Sequence, residues 1–275
     1  AAERFGFHAV SISERLLLPV REDWTNDANL PDSYAWDSLE VLSYAAAHTR
    51  RIRLATSVVN SIFQPPIVLA RRLATLDQLS RGRADAGLGQ GGGGGPKTSY
   101  LIPEEFTAAG VPANRRGAGF VEHLAAMRAC WGPDPVEFRG EHYQIPRSTV
   151  GPKPYAGTIP VFFGSLARTS IERAARLADG FITVALDWDE TRTKIGWYHS
   201  AGGAGTVVVN TIQTPPEEGF VEETFTDAVL ADVERAAAVG ADEMHVCGLV
   251  FAAVPADRQV ELLGALAEKL GLGMA

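Results

Sequence analysis

Two glycine-marked segments of the chain carry the residue types that hold anions. In the first, IPVFFGSLARTSIERAARLADGF, an apolar run ends at Gly164 and a helical pattern begins within the next few residues. The N–H groups of a helix's first turn have no partner inside the helix, and the dipole is positive there. With Ser165, Arg168, Thr169 and Ser170 nearby they would hold a phosphate. The plainer alternative is an ordinary strand-to-helix loop with a serine or threonine cap. The second segment, GLGQGGGGGP from Gly87 to Pro96, satisfies the letters of G-x-G-x-x-G through Gly87, Gly89 and Gly92. A dinucleotide fingerprint needs its glycines to open a helix directly, and here Pro96 and polar residues follow. Gly89 and Gly91 would still let a flat ligand approach the backbone at a strand end, while Gly92–Gly95 read as mobile loop.

Other candidates stand singly. Glu14 and Arg15 lie just beyond a β-rich run at His8–Ser13, where either would contact a ligand or handle a proton; the plainer expectation is that they pair with each other or with solvent. Arg115 and Arg116 open a helical pattern at Ala118–Trp131, and cations there oppose the helix dipole, which makes a bound anion a compensating partner. The histidines at 8, 48, 123, 142, 199 and 245 are dispersed, form no H-E-x-x-H set and read as surface or packing residues, so no metal site is expected. The chain has no G-x-S-x-G elbow to support a serine hydrolase.

The elements that must position these residues repeat one unit, clearest from Ile52 to Gly91. Ile52, Leu54, Thr56, Val58 and Val59 have the composition of a strand buried on both faces. Pro65 and Pro66 end it, and Val68, Leu69, Leu73, Leu76 and Leu79 then recur at helical spacing. Gly82 is placed to close that helix in the left-handed conformation, and Ala84–Leu88 follow as a second, parallel strand. Similar β-rich runs stand at Ile159–Gly164, Phe181–Ala185, Thr206–Ile212 and Glu243–Val250. Helical patterns alternate with them at Asp37–His48 (opened by a capping-box-like Asp37 and Glu40), Ala118–Trp131, Ser170–Ala178, Glu190–Ala201, Thr226–Val239 and Ala256–Leu270.

Such alternation indicates a parallel α/β sheet, and both a Rossmann-like sheet and a closed (β/α)8 barrel fit it. Ala1–Phe5 and Gly6 read as the last turn of a helix, and a helix end implies a strand before it. Adding that strand to the seven visible ones favours the TIM barrel, with its first strand absent from this sequence. Residues 92–158 break the repeat with a glycine run, one good helix and a hairpin at Val136–Ile145 turning at Arg139–Gly140; they read as an insertion over the C-terminal mouth of a single domain spanning 1–275.

With 275 residues, 46% of them hydrophobic, the chain can bury a sizeable core. Its formal charge of −8 argues against general nucleic-acid binding. No run approaches the roughly 18 apolar residues of a membrane span. Cys130 and Cys247 are isolated, as in a reduced cytoplasmic protein. A small organic molecule is the expected partner.

The motifs resemble the bacterial-luciferase-like flavin and deazaflavin oxidoreductases. The likeness runs through GFHAVSISERLLLP, RRIRLATSVVNSIFQPPIVLARRLATLDQLSRGRADAGLGQG, EEFTAAGVPANRRGA, IPVFFGSLARTSIERAARLADGFI and DWDETRTKIGWYHSAGG, and points to the branch that uses coenzyme F420. The resemblance implies a barrel holding the cofactor ring at the carboxyl ends of its strands, with a bulge and a non-proline cis peptide at Ser57–Val58 behind the ring. It also implies that Gly164, Ser165, Leu166 and Ala167 bind the cofactor phosphate with help from Arg116. Glu14 is carried over as the catalytic contact, but Arg15 follows it where the family commonly has a histidine, and Arg15 cannot deprotonate near neutral pH. The resemblance further implies a homodimer, and a substrate pocket shaped by Leu16–Ser33 and the insertion. The expected function is hydride transfer between reduced F420 and a small organic substrate. The alternatives are an FMN-dependent monooxygenase and a barrel that binds cofactor or ligand without turnover.

Overall fold

The computed structural model describes residues 1–25, 36–92, 94–95, 98–99, 101–213, 221–247 and 254–273. Along the chain come β1 (Ala9–Ile12), α1 (Ser38–His48), β2 (Arg53–Thr56), β3 (Val59–Asn60), α2 (Pro66–Ser80), β4 (Ala84–Gly89), β5 (Gly94–Gly95), β6 (Thr98–Ser99), α3 (Pro103–Ala109) and α4 (Ala118–Trp131). They are followed by β7 (Val136–Arg139), β8 (Gln144–Ser148), β9 (Val161–Gly164), α5 (Arg168–Leu177), β10 (Gly180–Val184), α6 (Trp188–Ser200), β11 (Thr206–Ile212), α7 (Glu222–Ala238), β12 (Glu243–Cys247) and α8 (Ala256–Lys269).

The main sheet runs β1-β2-β4-β9-β10-β11-β12 with β3 also on β4, and every pairing in it is parallel. It curls into a nearly closed (β/α) barrel of the TIM type, which decides against the Rossmann-like alternative. β1 and β12 end the path, and the strand expected between them is not among the described elements. Residues 248–250 of the expected last strand lie outside the described residues.

The two-residue strand period decides what faces the site. Val161, Phe163, Phe181, Val207 and Val209 are all but fully buried, and Phe163 meets Phe120 of α4 while Phe181 stacks on Tyr198 of α6, so this set faces the helices. The alternate set, including Phe162, Gly164, Ile182, Val184, Val208 and Asn210, faces the barrel interior. Asp37 caps α1, its carboxylate accepting from the Leu39 and Glu40 N–H groups at 3.1 and 3.2 Å, while the Glu40 side chain turns outward to Arg72. At the end of α2 it is Arg81 that first turns left-handed, with φ 60°, and Gly82 continues at φ 83°.

The stretch from 92 to 158 divides into parts. α3 sits beyond β4, whereas α4 packs on α2 as an ordinary barrel helix between β4 and β9. β7 and β8 form the expected hairpin, whose turn is pinned to α4 where Glu122 accepts from the Glu141, His142 and Tyr143 N–H groups. Within the glycine run, Gly94–Gly95 pair with Thr98–Ser99, where a loop was expected. Among the described residues no helix is long and apolar enough to cross a membrane.

Candidate functional site

At the carboxyl ends of the strands the chain between β2 and β3 breaks step at a cis peptide, Ser57–Val58. Val58 there fills the space left by two glycines. A Cβ on Gly89 would lie 2.8 Å from Val58 Cγ2, and one on Gly164 would lie 2.8 Å from Val58 Cγ1. Gly91, at φ +81°, makes room for Phe106 of α3, whose Cζ would lie 2.5 Å from an added Cβ. These glycines therefore seat Val58 and Phe106, and a flat ligand would lie against those side chains. From across the barrel Asn210 donates from Nδ2 to Ser57 Oγ at 2.9 Å.

A second group of residues gathers where β9 meets α5. No side chain caps α5: its N-cap is Ala167, and the carbonyl of Ala167 accepts from the Ser170 and Ile171 N–H groups. Gln90 Nε2 donates to Ser170 Oγ at 2.5 Å, and Ser170 and Ser165 hydroxyls lie 2.9 Å apart. Ser170 accepts from Gln90, and either hydroxyl of the Ser165–Ser170 pair can donate to the other, so Ser165 can meet a ligand as donor or acceptor. Gln90 Oε1 accepts from the Gly117 N–H at 3.1 Å and from Arg173 Nη1 at 3.3 Å. Burial pushes the Arg173 guanidinium below its ordinary range, with Arg176 adding repulsion. Arg116 donates from Nη2 to the Gly92 carbonyl at 2.8 Å, while its buried Nε has no partner. An uncapped helix start, two cations with no carboxylate bonded to them among the described residues and an orphaned guanidinium nitrogen fit a phosphate-bearing group. Leu166 is half-buried and Ala167 exposed at the same turn. Arg168 is not part of this cradle: it bonds Glu172 at 2.8 Å and lies 5.7 Å from the Trp197 ring centroid. Arg115 is likewise turned toward the hairpin, over Tyr143.

On the opposite lip, Glu14 and Arg15 do not pair with each other. Glu14 accepts from Ser38 Oγ at 3.0 Å and from the Asn60 N–H at 3.2 Å, joining β1, α1 and β3. Burial raises its carboxyl above the ordinary range against the pull of those two bonds. Arg15 meets Glu105 of α3 at 3.3 Å, and Glu105 also accepts from the Leu16 N–H at 2.8 Å. Glu105 is fully buried, so the loop after β1 is tied to α3 by a carboxylate that has left solvent. Of the Leu16–Ser33 stretch, residues 26–33 lie outside the described residues.

The structure thus gathers Val58, Gly89, Gly164 and Ser57 at one place, with Ser165 and Arg116 on one side and Glu14 on the other. Sequence reasoning missed Gln90, Arg173, Asn210, Ser38 and Glu105. Gln90 alone had a local signal, as the only polar side chain in GLGQG.

The model of the luciferase-like monooxygenase family matches residues 1–205. An uncharacterised Mycobacterium tuberculosis (strain H37Rv) protein, Rv0953c, is 37% identical over 196 residues, which cover 68% of this chain and 66% of that protein. The F420-dependent glucose-6-phosphate dehydrogenase of Nakamurella multipartita is 31% identical over 187 residues, 67% of this chain and 50% of the dehydrogenase. The matched part thus spans just under two thirds of the first relative and half of the second. Among solved structures, the monooxygenase RslO1 from Streptomyces bottropensis superposes with a TM-score of 0.73 at 23% identity, covering 98% of this chain and 89% of its own. The coenzyme F420-dependent tetrahydromethanopterin reductase from Methanopyrus kandleri gives 0.71 at 17% identity, covering 99% and 93%. These two likenesses are of fold. With the family model matched over residues 1–205, the chain belongs to the luciferase-like monooxygenase family.

Proposed function

We propose that this chain is an oxidoreductase that holds coenzyme F420 at the carboxyl-end mouth and exchanges a hydride with a small organic substrate. The observation that carries the reading is the meeting of Val58, Gly89 and Gly164 beside an uncapped helix start flanked by Arg116 and Arg173. Val58 would back the ring, and the first turn of α5, the Ser165 hydroxyl and the two arginines would hold the phosphate. When bound, the deazaflavin supplies or takes up the hydride. Glu14, whose carboxyl keeps its proton to higher pH than an exposed one, would serve the proton step on the lip where substrate enters. The relatives named for F420 dependence support this choice of cofactor.

The same cradle fits the phosphate of FMN, and a luciferase-like monooxygenase is the second reading. Mixing the protein anaerobically with reduced F420 and a panel of aldehydes, ketones and enones should oxidise the cofactor. Tight binding of FMN, oxygen uptake with reduced FMN and no affinity for F420 would overturn the first reading in favour of the second. F420 that binds firmly yet stays reduced with every acceptor would favour a binding barrel without turnover. We further propose a cytoplasmic homodimer, which light scattering of the purified protein tests.

A further inference from the structure

The proton step has a second candidate inside the barrel. His245 of β12 bonds through Nε2 to Glu243 Oε1 at 3.1 Å, and its Nδ1 is buried with no hydrogen-bond partner. Two observations turn this ring inward. Glu243, two residues away on the same face, lines a cavity of about 560 Å³ together with His8, Arg53, Asp85 and Phe162. His245 is also the register partner of Asn210, whose amide reaches Ser57 across the barrel. Register partners on neighbouring strands stand about 5 Å apart, and Glu243 lies roughly 6–7 Å nearer the amino-terminal mouth. Ser57, Asn210 and His245 therefore share one layer beneath the ring site, and Glu243 leads from it to the cavity.

Among the described residues two histidines, His123 and His245, have a buried Nδ1 without a partner, but His123 bonds a backbone carbonyl through its other nitrogen whereas His245 bonds a carboxylate. Here Glu243 orients one nitrogen and leaves the other bare, the arrangement in which a carboxylate fixes the tautomer of a general base. The ionisable side chains lining the cavity beside the pair are His8 from the segment before β1, Arg53 of β2 and Asp85 of β4, the last two joined as an ion pair, with Asp179 before β10 and Asp242 before β12. β11 presents the neutral Asn210.

We propose that His245, held by Glu243, relays a proton between the ring site and the cavity at the opposite mouth. The proposal rests on the function given above and adds a proton path that enters from the far side of the barrel. Nδ1 takes a proton from the ring site as Nε2 gives its own to Glu243, whose carboxyl releases it to the cavity; the imidazole is neutral before and after, and the opposite half of the redox cycle, in which the ring site takes up a proton, runs the exchange backwards and restores the first tautomer. No electrons move in this step.

The test is an imidazole nitrogen titration of ¹⁵N-histidine-labelled protein, with and without saturating F420, the His245 signals being assigned through their bonds to the backbone. Without F420 the Nε2–H tautomer should dominate. Loading F420 should move the Nδ1 signal and its titration midpoint. His245→Gln should bind F420 within twofold of the parent while oxidation of reduced F420 slows on the order of 10²-fold and loses one limb of its pH profile. Glu243→Gln should lose the tautomer preference. An Nδ1 signal indifferent to bound F420, or a His245→Gln profile like the parent's, overturns the relay alone. Absence of F420 binding overturns the functional reading and the relay with it. The titration of the parent protein depends on no variant folding.

Discussion

In the proposed reaction Glu14 supplies the acid chemistry at the lip. Burial raises its carboxyl, so the neutral form is favoured in the folded chain, and the stability it contributes is full below the ordinary carboxylate range and lost as pH rises through the raised value. Glu14→Gln keeps a neutral group of the same shape. We expect the variant to lose less thermal stability than the parent as pH rises above 4.5, and to oxidise reduced F420 more slowly, on the order of 10²-fold. Melting curves across pH and a rate assay check the two halves separately. Gly164 makes a sharper structural claim. A Cβ there would stand 2.8 Å from Val58 Cγ1, so Gly164→Ala should cost about 1–3 kcal/mol in urea unfolding. Adding Val58→Ala to Gly164→Ala should recover much of that loss, because the two side chains compete for one space. Additive losses would show that Val58 does not occupy it.

At the scale of elements, the β3–α2 connection, α4 and the β7–β8 hairpin are joined through His123. It is fully buried, bonds the Gln64 carbonyl at 2.9 Å and lies edge-on to Tyr143. Burial pushes its imidazole down from 6.5 to about 4. Between those values the unfolded chain binds the proton and the folded chain does not, so this contribution is whole above pH 6.5 and is lost as pH falls through about 4. The loss amounts to about 3 kcal/mol. Urea midpoints at pH 7 and pH 4.5 should therefore differ in the parent and converge in His123→Phe, which keeps the packing on Tyr143 and removes the titrating group. A midpoint difference unchanged in His123→Phe would assign the acid sensitivity elsewhere.

For the molecule as a whole, the barrel was legible because its pattern is local. Apolar β-branched runs and helical spacing recur along the chain, and apart from α3, β5 and β6, which were not expected, the described strands and longer helices fall within a few residues of the expected places. Ends were less legible. Gly82 is left-handed as expected but Arg81 before it is too, and Gly94–Gly95 of the glycine run pair with Thr98–Ser99 where loop composition predicted no strand. At the site, Gly164 and Ser165 were visible because a strand end followed by a helix start is written in consecutive residues. Asn210 and Ser57 stand 153 positions apart, and Glu105 and Arg15 stand 90 apart, so only the closing of the barrel reveals that they meet. The Ser57–Val58 cis peptide has no local pattern of its own and was expected from family resemblance alone. The central claim is that ring and phosphate are held where Val58, Gly164 and α5 converge. Equilibrium titration with F420, followed by its absorbance and fluorescence, tests it most directly when run on the parent, Arg116→Ala and Gly164→Val. The account predicts saturable one-to-one binding that weakens about tenfold or more in both variants; binding equally tight in all three, or no binding to the parent, would contradict it.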